Sequence, residues 1–259
     1  MKLLSKPFRK KKKPTPGPSL PTIESLAQRF PNAKPAHRET IATVSEATMT
    51  SPERILALCE AVEYIQQQQI EGDVVECGVW KGGSMAAVAR TLNRMQNTDR
   101  LLWLFDTFEG MSAPTDDDVD YLGQPADQLL DNAPQSQAEL RESIWCRCSL
   151  DGVRDTMQQT GYPSDQFRFV KGKVEQTLTE TIPEKIALLR LDTDWYESTR
   201  IEMEVLFPRL VPGGVLIIDD YGHWQGCRKA IDEYIANNHV NIFLHRVDYT
   251  GRLGIKQAG

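Results

Sequence analysis

Asp73-Val74-Val75-Glu76-Cys77-Gly78-Val79-Trp80-Lys81-Gly82-Gly83-Ser84 reads as a strand, a tight turn and the start of a helix that runs on to Met95. Glycines in the turn permit close backbone approach, and a helix that begins there presents free N–H groups and the positive end of its dipole. The spacing is not the dinucleotide fingerprint G-x-G-x-x-G. Glu76 stands two residues before Gly78, and the next glycines follow at 82 and 83. The turn suits the methionine part of a nucleoside cofactor, whose carboxylate the helix start would favour.

Outward from this unit the alternation repeats. Short apolar segments at 101–105, 167–170, 186–191 and 215–218 read as further buried strands, with helix-like stretches at 150–159, 197–206 and 225–237 between or after them. One helix, 52–69 with Ser51 as N-cap, precedes the first strand. Segments 241–247 and 252–256, separated by 248–251, look like a terminal antiparallel hairpin. The pattern predicts an α/β, Rossmann-like fold: a mainly parallel seven-stranded sheet with helices on both faces and an antiparallel C-terminal hairpin.

In such a sheet, right-handed crossovers gather the C-terminal strand ends at one edge, where ligands bind. The residues there are Glu76 and Gly78, Asp106, Gly172 and Lys173, Asp192 and Asp194, and Asp219 and Asp220. A single Asp at a strand end is an ordinary turn or cap residue. Acids at four neighbouring strand ends, however, repel one another unless cations or donor groups compensate. Asp106, at the tip of the second strand, is placed to accept both hydroxyls of a ribose.

Four motifs in this order carry a resemblance: 76–84; Phe105-Asp106-Thr107-Phe108-Glu109-Gly110-Met111; Leu189-Arg190-Leu191-Asp192-Thr193-Asp194-Trp195-Tyr196-Glu197-Ser198-Thr199; and Pro212-Gly213-Gly214-Val215-Leu216-Ile217-Ile218-Asp219-Asp220-Tyr221. Together they resemble the macrocin O-methyltransferase family, which includes aminocoumarin and mycinamicin sugar methyltransferases. The resemblance implies a class I methyltransferase fold, S-adenosylmethionine, Mg2+, and an acceptor hydroxyl on a sugar or sugar-containing small molecule. It implies Asp192, Asp219 and Asp220 as metal ligands and Asp194 as general base. Thr48 and Met49 correspond to a segment closing over the cofactor, and Glu76, Gly78, Gly82, Ser84, Asp106, Thr107 and Lys173 complete the expected cofactor site.

Elementary chemistry agrees with that assignment. Three carboxylates from adjacent strand ends offer the hard oxygens that Mg2+ prefers. A bound cation acidifies a hydroxyl, whose proton a nearby carboxylate can take. Asp194 lies two residues beyond Asp192, so on an extended strand end both would point to one side. Methyl transfer itself needs mainly alignment.

Other readings compete. Asp192-Thr193-Asp194 also matches the D-x-D of metal-dependent, nucleotide-sugar glycosyltransferases, although those enzymes need no Glu-x-Gly turn on the first strand. A non-catalytic methyltransferase-like binding module is the third reading, against which the intact metal and base positions count. His223 offers an alternative base, and Trp80, Trp195 and Trp224 could wall the pocket, although helix entry and core packing are their more ordinary roles.

The composition bounds the rest. With 259 residues and 40% hydrophobic content, 22–259 reads as a single domain, and the polar interval 111–148 is long enough to be a lid or insertion. A net charge of −6 argues against a nucleic-acid binder. Five dispersed cysteines suggest reduced thiols and a cytoplasmic protein, and Cys146 and Cys148 lack zinc-site spacing. No apolar run reaches the roughly 18–20 residues of a membrane span. Residues 1–21 read as a flexible tail, basic at Arg9 to Lys13 and rich in proline, without the apolar core of a signal peptide. The expected partner is a small molecule, with no nucleic acid and no stable membrane insertion, and a homo-oligomer stays open.

Overall fold

In the computed structural model, residues 20–131 and 146–258 are described; most of the expected tail and the middle of the expected lid lie outside the described residues. Three helices precede the first strand, not one: α1 (Ile23–Arg29), α2 (Pro35–Val44) and α3 (Pro52–Gln67). α1 opens with a reciprocal capping box between Thr22 and Ser25, and α2 with Pro35 in its first turn. α2 buries His37 and Thr40 beside Ile41 and Val44, so its inward face is half polar and offers no apolar period to read. Ser51 does cap α3, its hydroxyl accepting from the Arg54 N–H.

There follow β1 (Asp73–Cys77), α4 (Gly83–Arg94), β2 (Leu102–Asp106), α5 (Ala126–Asp131), α6 (Leu150–Gln158), β3 (Phe167–Lys171) and α7 (Val174–Thr177). The second half comprises β4 (Ile186–Leu191), α8 (Tyr196–Val205), β5 (Leu210–Ile218), α9 (Gln225–Asn237), β6 (His245–Arg246) and β7 (Arg252–Ile255). The expected mainly parallel sheet has seven strands in the order β3-β2-β1-β4-β5-β7-β6, with β7 antiparallel to both its neighbours. The strand read at 241–247 shrinks to two residues. Phe243 is exposed and Ile242 lies over Gly254 instead of pairing, which leaves the edge short.

Successive strand residues face opposite sides. Val74, Leu104 and Leu188 join one core with Leu58, Val62 and Met85 of α3 and α4; Val75, Phe105 and Leu189 join the other with Met203 and Ile231 of α8 and α9. β4, covered on both faces, is buried throughout, Arg190 included. The described start of the 111–148 insertion is pinned to this body. The Trp195 indole N–H donates to Ser112 O at 3.0 Å, and Asp118 accepts from the Tyr196 N–H at 2.7 Å at the start of α8. Among the described residues, no helix is long and apolar enough to cross a membrane.

The chain segments leaving β3, β1, β4 and β5 each add one rung to the ladder: Gly172 N–H to Asp106 O at 3.0 Å, and Gly78 N–H to Phe105 O, Asp192 N–H to Cys77 O and Asp219 N–H to Leu191 O, each at 2.9 Å. The five parallel strand ends, from β3 to β5, are thereby held level along one edge. At the centre, Gly78 has φ +84° and a Cβ there would run into the Asp192 carbonyl. Gly78→Ala combines a left-handed backbone with overpacking, so a loss of about 2–5 kcal/mol is expected. Denaturant melts check this, and an unchanged midpoint would mean that the turn relaxes freely.

Candidate active site

The sheet edge opens into a cleft that encloses about 1320 Å3 when its open mouth is counted. One end is built from the turn after β1, the start of α4 and the tip of β2. Gly78, Ser84, Asp106 and Thr107 line it, with Lys173 after the neighbouring strand β3 and with Thr48 and Met49 of the segment that precedes α3. Gly83 has no room for a side chain beneath Ala47, and its N–H donates to the Ala47 carbonyl at 2.9 Å, which seats the 47–50 segment on the helix start. The other end holds Asp192, Asp194, Asp219 and Asp220.

Two expected cofactor residues do not line the cleft. Glu76 is 2% exposed, and its Oε1 accepts from Arg190 Nη1 at 2.6 Å. Burial pushes its carboxyl up to about 8, against the pull of Arg190. Gly82 N-caps α4 with φ +85°, a backbone role. Asp106 reaches the cleft, but its carboxylate accepts three backbone N–H groups: Val79 at 2.6 Å, Trp80 at 3.0 Å and Phe108 at 2.6 Å. It organises the two turns first, and its capacity for ribose hydroxyls is correspondingly reduced.

Among the described residues, oxygens of Asp192, Asp219 and Asp220 lie within 4.8 Å of one another, a spacing a shared cation can span. Asp220 Oδ2 is buried and has no hydrogen-bond partner. Burial and the neighbouring charges of Asp194 and Asp192 hold its carboxyl well above the usual range. Asp194 is likewise raised, by burial first and by the charge of Asp192 second. Asp194 does not continue a strand: β4 ends at Leu191, and Asp194 has φ +69°. It faces the cleft because the backbone turns into the left-handed region, which Asp tolerates better than most side chains, and not through strand alternation.

Sequence reasoning missed two arginines. Arg190 is buried in β4, and besides Glu76 it binds Asp192 Oδ2 at 2.7 Å, Asp219 Oδ1 at 2.5 Å and Thr50 Oγ1 at 2.8 Å. Arg54 bonds the other oxygen of Asp219 and, at 3.0 Å, Asp248. Together they supply the compensation that crowded acids require. A charged residue inside the apolar run of β4 was a usable signal for Arg190; Arg54, on an amphipathic helix, gave none. His223 lines the cleft, its Nδ1 3.2 Å from the Tyr249 hydroxyl, with burial lowering its pKa. Trp80 and Trp224 line the cleft, while the Trp195 ring packs edge-on against Trp224 at 4.9 Å in the core.

A family model described as macrocin-O-methyltransferase matches residues 28–253. The chain belongs to this family. The O-methyltransferase is 34% identical over 205 residues to the 8-demethyl-8-(2,3-dimethoxy-alpha-L-rhamnosyl)-tetracenomycin-C 4'-O-methyltransferase of Streptomyces olivaceus, covering 79% of this chain and 73% of that one. It is 32% identical to the mycinamicin III 3''-O-methyltransferase of Micromonospora griseorubida over 79% of this chain and 76% of that one. Its structure is similar to that of the O-methyltransferase NovP, with TM-score 0.69, 28% identity, and 91% and 96% of the two chains covered. The sheet is thus that of a class I methyltransferase. Family membership removes the glycosyltransferase reading of Asp192-Thr193-Asp194 and that of a non-catalytic module.

Proposed function

We propose that the O-methyltransferase moves a methyl group from S-adenosylmethionine to a hydroxyl of a sugar or sugar-containing small molecule, using Mg2+ held by Asp192, Asp219 and Asp220. The observation that carries this reading is the acid trio, with oxygens within 4.8 Å of one another, beside Asp194 in a cleft whose other end is a glycine turn and helix start. The trio fits a divalent cation on its own evidence: hard oxygen donors, a buried Asp220 oxygen without a partner, and an Asp220 carboxyl raised by burial and by the neighbouring charges of Asp194 and Asp192. When bound, S-adenosylmethionine supplies an electrophilic methyl carbon, and Mg2+ increases the acidity of the acceptor hydroxyl.

The chain's own residues do the remaining work. The Gly78 turn and the start of α4 take the amino-acid end of the donor, with Thr48 and Met49 above it and Thr107 and Lys173 at the flank. Asp194 takes the hydroxyl proton as the methyl group transfers, from its place in the cleft beside Asp192 and Asp220. His223 and Tyr249 wall the acceptor side. The sugar-linked acceptors in the relatives' names support a carbohydrate acceptor here, and five unpaired cysteines suit a reducing cytoplasm.

The test is transfer of a labelled methyl group from S-adenosylmethionine to a panel of glycosides, with Mg2+ and with chelator. Incorporation that chelator abolishes and Mg2+ restores is expected. Full incorporation in chelator would refute the metal assignment, and none on any glycoside, with turnover on other alcohols, would refute the acceptor class.

A further inference from the structure

Arg190 connects the two ends of the cleft, and we infer that it couples their occupancy: a divalent cation at the acid trio tightens the hold of the 47–50 segment on the methyl donor. This rests on the donor and metal reading above. The Arg190 side chain is 3% exposed, and each terminal nitrogen is shared between one partner on the donor side and one at the acid trio. Nη1 lies 2.6 Å from Glu76 Oε1 and 2.7 Å from Asp192 Oδ2; Nη2 lies 2.8 Å from Thr50 Oγ1 and 2.5 Å from Asp219 Oδ1. Four N–H groups thus meet four acceptors.

The direction of the coupling follows from charge. A cation on Asp192 and Asp219 draws their negative charge to itself and repels the guanidinium. Both effects turn the Arg190 N–H groups toward Glu76 and Thr50. Room for that shift exists, because Glu76 Oε2 is buried, unpartnered and able to accept a second bond from Nη1. A firmer bond to Thr50 steadies the segment, already seated on α4 through Ala47 and tied internally by the Thr50 N–H to Thr48 Oγ1 at 3.0 Å. Thr48, Met49 and Thr50 all line the cleft, so steadying them removes entropy that the donor would otherwise have to take out on binding. Arg54, on the other oxygen of Asp219, is held instead by Ser51 and Asp248, outside this segment.

Binding is the readout. S-adenosylhomocysteine is titrated calorimetrically into the full chain with excess Mg2+ and with chelator, and Mg2+ is titrated alone. The wild type is expected to bind S-adenosylhomocysteine about five- to tenfold more tightly with Mg2+, the lower range of ordinary coupling. Thr50→Val preserves shape but removes the acceptor of Arg190, so the ratio of affinities should fall toward one while Mg2+ still binds. Equal wild-type affinities, or an undiminished ratio in Thr50→Val, would overturn the coupling. A direct contact between Thr50 and the donor would lower both affinities alike and leave the ratio intact, so the ratio separates the two roles. Failure of the wild type to bind S-adenosylhomocysteine or Mg2+ at all would instead remove the underlying donor or metal reading, and the coupling with it.

Discussion

Asp194→Asn is expected to lower kcat by about 10²–10⁴-fold, the usual contribution of a positioned general base, while donor affinity stays near that of the wild type. Asn keeps the shape of Asp and tolerates the left-handed backbone at φ +69°, so the turn after β4 should survive. What is lost is the ability to take a proton from a hydroxyl beside Asp192 and Asp220. In the proposed reading, donor binding draws on Gly78, Ser84 and the 47–50 segment, which line the cleft away from Asp194 and which the substitution does not touch. Steady-state kinetics at saturating donor, with calorimetry of S-adenosylhomocysteine, makes the comparison. A kcat within threefold of the wild type would move the base elsewhere, and His223 would become the first candidate.

Asp219→Ala should remove turnover and stability together, whereas Asp192→Asn should remove turnover with a much smaller effect on stability. Asp219 is 3% exposed, and its two oxygens meet two guanidinium groups, Arg190 and Arg54. Truncating it strands both cations away from water, and breaking a buried pair costs about 3–5 kcal/mol. Arg190 retains Glu76 and Asp192, and Arg54 retains Asp248, which places the expectation toward the lower end. Asp192 has a side chain 25% exposed and faces one arginine, so Asn there leaves less uncompensated. Thermal melts of the two variants separate these outcomes. A melting temperature for Asp219→Ala as close to the wild type as that of Asp192→Asn would mean that the arginines find other partners.

The strands and the gathered acids were legible because both are properties of chain order. Apolar runs bounded by glycines and acids mark β1 and β4 to the residue, and parallel strands separated by helices bring their C-terminal ends to one edge whatever the details of packing. Less was legible where elements are short or half polar. α1 has seven residues, α2 buries a histidine and a threonine, and β6 keeps two residues of the seven expected. In each case local periodicity is too weak to stand out, and contacts with neighbouring elements decide the conformation: α1 with α2, α2 with α3 and α4, and β6 with β7.

The amino-acid order alone therefore determined the α/β alternation, the glycine turn after β1, and the arrival of Asp192, Asp194, Asp219 and Asp220 at a common edge. Only the tertiary structure decided how those carboxylates are used. Arg190 bridges Glu76, Thr50, Asp192 and Asp219; Arg54 reaches Asp219 across 165 residues of chain; Asp106 turns to the backbone of Val79 and Trp80; and Asp194 faces the cleft through a left-handed turn. The physical reason is competition. Apolar burial depends on what each residue is, but a hydrogen bond or ion pair depends on which of several donors and acceptors, distant in the chain, comes within about 3 Å once the strands are packed.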